Sequence, residues 1–142
     1  MATIKHRTLT GFEASSYLYS LCEKTITYRR LIRLLVIAHM VHLGRYNKPL
    51  MLGQFSTTDS DIIPPCRSLS HHDIDFRFCN QYKTLKDVFE YFKNDDDELL
   101  KVIMHIDNGV WYTYHEWGKV VPIPNEGFIK HYQRMINPSH YA

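Results

Sequence analysis

The chain has few cysteines and no pairing pattern among them. Cys22, Cys66 and Cys79 are the three in 142 residues, far apart and outside any CxxC spacing. An odd, scattered set argues against a disulfide framework and indicates reduced thiols, as in a cytoplasmic protein. Internal repeats and low-complexity segments are also lacking. Residues 1–142 are therefore expected to form a single domain.

Neither sign of charge predominates. The 17 basic and 15 acidic side chains leave a net charge of +2. Binding to nucleic acid usually needs a basic stripe, so electrostatics gives no case for that function. The first sixteen residues, MATIKHRTLTGFEASS, contain no apolar stretch of the kind found in secretory signals. We therefore expect a cytoplasmic protein without a membrane partner.

A long uninterrupted hydrophobic run is missing as well. The most apolar stretch, RRLIRLLVIAHMVHLGRYNKPL at residues 29–50, is interrupted by His39 and His42 and flanked by arginines. A membrane-spanning helix needs about 20 apolar residues, which excludes that interpretation. Because the stretch is apolar on nearly all sides of a helix, it predicts a buried helix over 28–43. Thr27 suits its N-cap, and Gly44 or Asn47 suits its end.

The remaining periodicity predicts a mainly α protein of about five helices in one compact domain. Residues 51–82 contain turn-like stretches and Pro64–Pro65, so an irregular middle segment is expected, with a short strand at 74–78. The sequence VVPI could add an edge strand. Further helices are predicted at 12–24, 84–93, 94–105 and 125–136, with Asn125 as the N-cap of the last.

The stretch KVIMHIDNGVWYTYH, residues 101–115, allows two interpretations. Asn108-Gly109 is a favoured hairpin turn, so a short β-hairpin is one of them. The other ends the preceding helix near His105 and uses Asn108-Gly109 as a stop. We adopt the second and keep the hairpin as the alternative.

Two blocks of the chain resemble the Panacea domain, the SocA-like family of bacterial antitoxins and phage-associated proteins. The first block is the apolar helix with its closing turn, in which Asn47 replaces the usual glycine and Arg33 a lysine. The second runs from Val88 to Trp111 at family spacing without a gap. The resemblance covers about 12–136, and it implies structural roles for Leu34, Leu35, Ala38, Pro49, Leu50, Leu100, His105, Trp111 and Ile129.

The middle of the chain departs from this family. Where the family has A-W-x-x-G-P-V-x-P, an ungapped count places Thr57-Thr58 on A-W and Asp61, Ile62 and Ile63 on G-P-V. Only Pro65 is kept. The resemblance implies a non-enzymatic domain that neutralises a cognate toxin by contact. A close variant is a phage or mobile-element protein that inhibits a host factor, and the loss of G-P-V favours that variant.

Two groups of histidines could carry chemistry instead. His39 and His42 lie one helical turn apart, a spacing compatible with a metal. However, the sequence has no HExxH and no carboxylate spaced beside them, so we interpret both as packing histidines. His71, His72 and Asp73 form the best metal or acid–base cluster, and with Cys66 they define the alternative of a metal- or cysteine-dependent enzyme. We expect neither a metal nor a cofactor.

A protein partner would meet the irregular segment and the aromatic stretch VWYTYHEWGK, residues 110–119. This stretch holds two tryptophans and two tyrosines, residue types that dominate binding energy at interfaces. Trp111 is expected to cover the helices, as the resemblance implies. The expected partner surface comprises His71, His72, Asp73, Phe76, Tyr112, Tyr114 and Trp117.

Overall fold

A computed structural model describes residues 8–23, 25–65 and 79–136 of the chain. These residues contain six helices and three short strands. The prediction of a mainly helical fold is confirmed. The helices are α1 (Gly11–Leu21), α2 (Tyr28–Tyr46), α3 (Asn80–Phe92), α4 (Asp97–Met104), α5 (Val110–Tyr114) and α6 (Asn125–Ile136). The strands are β1 (Ser56–Thr57), β2 (Ile62–Ile63) and β3 (Val121–Pro122).

Helix α2 is the centre of the fold, as its sequence predicted. Every residue from Leu31 to Leu43 is buried, and α1, α3, α4 and α6 all pack against it. The Thr27 hydroxyl accepts from the Arg30 amide at 3.3 Å, which confirms the predicted N-cap. Asn47 ends the helix in the left-handed conformation, with φ 55°. The helix therefore continues three residues beyond the predicted end at Leu43.

Gly44 lies inside α2 and does not end it. A Cβ at this position would collide with the ring of Tyr132 on α6. The glycine thus allows α2 and α6 to approach closely, a reason that only the packing of two distant segments reveals.

A three-stranded antiparallel sheet of order β2-β1-β3 contacts α2 through β2. Ser56 pairs with Ile63 and with Pro122, so the VVPI segment does supply an edge strand. The hairpin lies at 56–63, within the segment predicted to be irregular. At Asn108-Gly109 the chain instead passes from α4 into α5, so the hairpin alternative for 101–115 is wrong.

The starts of α3, α4 and α6 differ from those predicted, and α4 begins at Asp97, three residues after the predicted start at 94. Helix α3 begins at Asn80, four residues before the predicted start, and Thr84 is buried inside it. The polar Asn80 and Gln81 are buried too, so apolar periodicity could not show this first turn. Asn125 is the first residue of α6 and not its cap. The predicted strand at 74–78 lies outside the described residues.

Candidate functional site

Trp111 is the centre of an aromatic cluster beside the β1–β2 turn, residues 58–61. Asn108, with φ 62°, reverses the chain after α4, and the short helix α5 then carries the indole over the β1–β2 turn. The Trp111 Nε1–H donates to the Thr58 carbonyl at 2.9 Å. We use the name Trp111 cluster for the side chains of Asp59, His105, Trp111, His115 and Trp117.

His105 fixes one side of this cluster. Its ring lies 4.7 Å from the Trp111 ring, centroid to centroid. Its Nδ1 is 2.9 Å from the Lys101 carbonyl, and its Nε2 is 3.1 Å from the Ser60 carbonyl. The residue therefore ties the end of α4 to the β1–β2 turn, in keeping with the structural role that the resemblance implies.

His115 and Asp59 fix the other side. The His115 ring stacks on Trp111, at 4.2 Å with an interplanar angle of 14°, and its Nε2 lies 3.0 Å from Asp59 Oδ1. The Gly118 amide also donates to Asp59, at 2.9 Å to Oδ1 and 3.2 Å to Oδ2. The hydrogen bond from His115 is the main cause that lowers the pKa of the Asp59 carboxyl, followed by the bond from Gly118. Asp59 is therefore a stable carboxylate at the protein surface.

Trp117 projects from this fixed framework into solvent. Its side chain is 75% exposed, although its ring lies only 4.5 Å from that of His115. Tyr112, which contacts Trp111 edge to face, is 55% exposed. Two of the aromatic residues expected on a partner surface are thus exposed on the same short segment.

Tyr114 is half-buried and faces α6. It packs against the buried residues, and a Cβ on Gly127 of α6 would lie 2.6 Å from its ring. Tyr114 therefore offers a partner less exposed surface than Tyr112 does, and its place on the partner surface stays a prediction. Helix α5 is amphipathic, so within one turn it presents Tyr112 to solvent and Tyr114 to α6.

The histidines of α2 are packing residues, as interpreted from the sequence. His42 Nδ1 lies 2.7 Å from the buried Thr84 hydroxyl. The His39 ring stacks on Phe55 at 4.1 Å, and neither of its nitrogens has a hydrogen-bond partner of ordinary geometry. Burial lowers the pKa of His39 to about 3, although the nearby Asn125 side chain opposes the shift. The ring is therefore neutral at physiological pH.

His131 is a buried polar residue that the sequence reasoning missed. Its Nδ1 accepts from the Val110 amide at 2.9 Å, and its Nε2 lies 2.9 Å from the Ile103 carbonyl. Burial lowers its pKa to about 4. The residue joins α6 to the ends of α4 and α5 and thereby supports the Trp111 cluster. Its position three residues after Phe128, on the apolar stripe of α6, was the signal that could have found it.

None of the residues that define the enzyme alternative is described, and neither is Phe76 of the expected partner surface. Cys66, His71, His72, Asp73 and Phe76 lie outside the described residues. Cys22 is half-buried, with the pKa of its thiol raised by burial, and Cys79 is buried. Within residues 8–23, 25–65 and 79–136, no group of three His, Cys, Asp or Glu side chains could hold a metal ion.

The remaining structural assignments place residues in or against the core. Leu34, Leu35, Ala38, Leu50 and Leu100 are buried, and Ile129 packs against them. The Pro49 carbonyl accepts from the Gln81 side chain at 3.4 Å, which links the end of α2 to α3. None of these residues contributes to the exposed aromatic surface.

No protein-family model, curated protein or solved structure matches the chain. None of the described helices combines the length and the apolar character needed to cross a membrane.

Proposed function

We propose that this chain is a protein-binding domain of the Panacea kind, which neutralises a cognate toxin by direct contact. The observation that supports it most is Trp117, a large exposed indole held on a fixed framework. Ordering a flexible side chain on binding costs conformational entropy, so a pre-positioned aromatic residue binds more tightly. Tryptophan is also the residue type most enriched at energetic hot spots.

The framework around Trp117 is held by contacts from several segments. His105 bonds to the β1–β2 turn, Trp111 to Thr58, and Asp59 to the residues on either side of Trp117. The Arg33–Asp61 ion pair holds the β1–β2 turn to α2. A partner would therefore meet a preformed surface, which favours recognition of one specific protein.

The variant in which the partner is a host factor rests on a separate observation. Asp61 occupies the glycine position of the family's G-P-V, and here its carboxylate pairs with Arg33. Ile62, on the next position, is buried in β2. These positions build the scaffold in this chain, so a surface that family members form with G-P-V would differ here. A different partner would then be expected.

Co-expression with the genes that flank this one in its native genome tests the proposal. We expect one neighbour to arrest growth and the wild-type chain to restore it. The variant Trp117→Ala is expected to lose this rescue while its unfolding midpoint stays unchanged, because the side chain is mostly exposed. Tyr91→Ala is the matched control, since Tyr91 on α3 is 76% exposed.

The possible results separate the proposals. Rescue by wild type and by Tyr91→Ala but not by Trp117→Ala supports a toxin partner at the Trp111 cluster. If no neighbouring gene arrests growth, none of these genes encodes the toxin. The same variants are then compared for their capture of host proteins. Equal behaviour of Trp117→Ala and Tyr91→Ala in both assays would contradict the proposed surface.

A further inference from the structure

An aromatic ring and a carboxylate both contact the His115 ring at the edge of the Trp111 cluster, Trp117 at 4.5 Å between ring centroids and Asp59 through the Nε2 contact. The Asp59 carboxylate is bonded to the side chain of His115 and to the amide of Gly118, the residues that bracket Trp117 closely in sequence. Both groups reach solvent: the Asp59 side chain is 50% exposed and the Trp117 residue 75%. The β1–β2 turn and the segment after α5 thus supply one group each.

The carboxylate keeps acceptor capacity on its solvent side. Oδ1 accepts from His115 Nε2 and from the Gly118 amide, whereas Oδ2 has only the longer Gly118 contact at 3.2 Å. A carboxylate oxygen can accept two hydrogen bonds. One more donor can therefore approach Oδ2 without displacing a contact that holds the cluster together.

The indole of Trp117 keeps room for a planar group. Its ring contacts with His115 and Trp111 are close to perpendicular, with interplanar angles of 84° and 87°. Among the described residues, no ring stacks parallel on it. Tryptophan attracts cations to its face more strongly than the other aromatic residues do.

The charges nearby leave Asp59 as the acceptor for an external cation. Glu116 is exposed and lies 3.9 Å from the Lys119 ammonium, so these two side chains largely offset each other. Asp61, at the other end of the β1–β2 turn, already pairs with Arg33. The His115 ring contributes charge only when it is protonated. A cation from outside would meet an ionised carboxylate and an open aromatic surface that both contact the same histidine ring.

We propose that the partner inserts an arginine side chain, whose guanidinium lies on the Trp117 indole and donates to Asp59 Oδ2. The inference rests on the proposed function, because it names the chemistry of that partner. Arginine fits better than lysine, since its planar guanidinium stacks on an aromatic face and donates in its own plane at the same time. The partner surface is accordingly basic at the point that meets the Trp111 cluster.

Titration of the ¹⁵N-labelled full chain with N-acetyl-arginine amide tests this inference without a known partner. The Trp117 Nε1–H and Gly118 amide resonances report on the two contacts, and ionic strength is held constant with sodium chloride. We expect both resonances to shift along a curve that bends toward saturation, and to shift less with N-acetyl-lysine amide. The Trp111 Nε1–H, bonded to Thr58, serves as the internal control and should stay in place.

The variant Asp59→Asn provides the decisive comparison, because asparagine keeps the shape and a carbonyl acceptor but removes the charge. Removing a charged partner should reduce the arginine-induced shifts at least about three-fold. Unfolding is followed in parallel to show that the variant keeps its fold. Shifts that match those caused by sodium chloride, or that persist in Asp59→Asn, would overturn the inference.

These results are separable from those of the growth experiment. If Trp117→Ala loses rescue but the chain shows no arginine response, the partner surface is supported and arginine is rejected as its ligand. If the chain responds to arginine but Trp117→Ala and Tyr91→Ala rescue growth equally, the arginine site is supported and the proposed function is rejected.

Discussion

Arg33 and Asp61 form a largely buried ion pair, with Nε 3.2 Å from Oδ2. Only 6% of the Arg33 side chain is exposed, although arginine is rarely buried unless it is paired. Asp61 Oδ1 also accepts from the amide of Ile62 at 2.9 Å. The pair fastens the β1–β2 turn, and with it Asp59, to α2.

Breaking this pair is expected to be costly. Asp61→Asn leaves a buried guanidinium without its counter-ion, and we expect a loss of about 2–3 kcal/mol in the free energy of unfolding. The double variant Arg33→Met/Asp61→Asn should recover part of this loss, because no unpaired charge stays buried. Urea unfolding of the four forms gives the coupling energy. The exposed pair Arg45–Asp87, at 3.1 Å, is the control, and Asp87→Asn should cost less than about 1 kcal/mol.

Replacement of His131 by phenylalanine is expected to destabilise the protein by about 2–4 kcal/mol. The change keeps a ring of similar size but leaves the Val110 amide and the Ile103 carbonyl without partners in the core. Thermal and urea unfolding measure the effect. Lys130→Ala, an exposed site on the same helix, should change stability by less than about 0.5 kcal/mol. Similar losses in both variants would show that His131 is not a special support.

Stability is expected to fall as pH decreases below 6.5. Folding lowers the pKa of His39 to about 3 and of His131 to about 4, against 6.5 for both in the unfolded chain. The unfolded chain therefore binds more protons, and the stabilisation that is complete above pH 6.5 is lost as pH falls toward 4. Each histidine should contribute a loss of about 1.6 kcal/mol between pH 6.5 and 5.

The variant His39→Phe tests whether His39 causes part of this pH dependence of stability. The buried ring stacks on Phe55, so phenylalanine preserves the stacking and removes the titrating group. Urea unfolding at several pH values should show a slope smaller by about one proton than that of the wild type. An unchanged slope would mean that His39 does not remain neutral in the folded protein.

Gly44→Ala tests the close approach of α2 and α6. In an isolated helix this substitution is favourable by about 1 kcal/mol, because alanine is the better helix former. Here the added methyl group meets the Tyr132 ring, so we expect a net loss of at least about 2 kcal/mol instead. The double variant Gly44→Ala/Tyr132→Ala should relieve the overlap and lose less stability than the sum of the two single variants. Additive losses would argue against the contact.

The sequence was informative wherever a structural choice is local. Apolar periodicity identified α2 as the buried central helix, and Thr27 and Asn47 mark its boundaries through their own side-chain and backbone preferences. The aromatic stretch after α4 also stood out by composition. Two of its residues, Tyr112 and Trp117, are indeed exposed.

Other features depend on segments that are distant in sequence. Whether Gly44 ends a helix or admits a tyrosine ring depends on α6, and whether Arg33 is solvated depends on a turn 28 residues later. Tyr112 faces solvent and Tyr114 faces α6, because two residues along the short helix α5 the side chain points to the other side.

By itself the sequence thus determined the helical class, the central helix and the aromatic segment, because periodicity and capping act over a few residues. Only the tertiary structure decided that Asp59 reaches His115 and Gly118 beside Trp117, and that His131 joins α6 to the ends of α4 and α5. Hydrogen bonds and ion pairs between distant segments form at the geometry that packing imposes, and no local pattern of residues encodes that geometry.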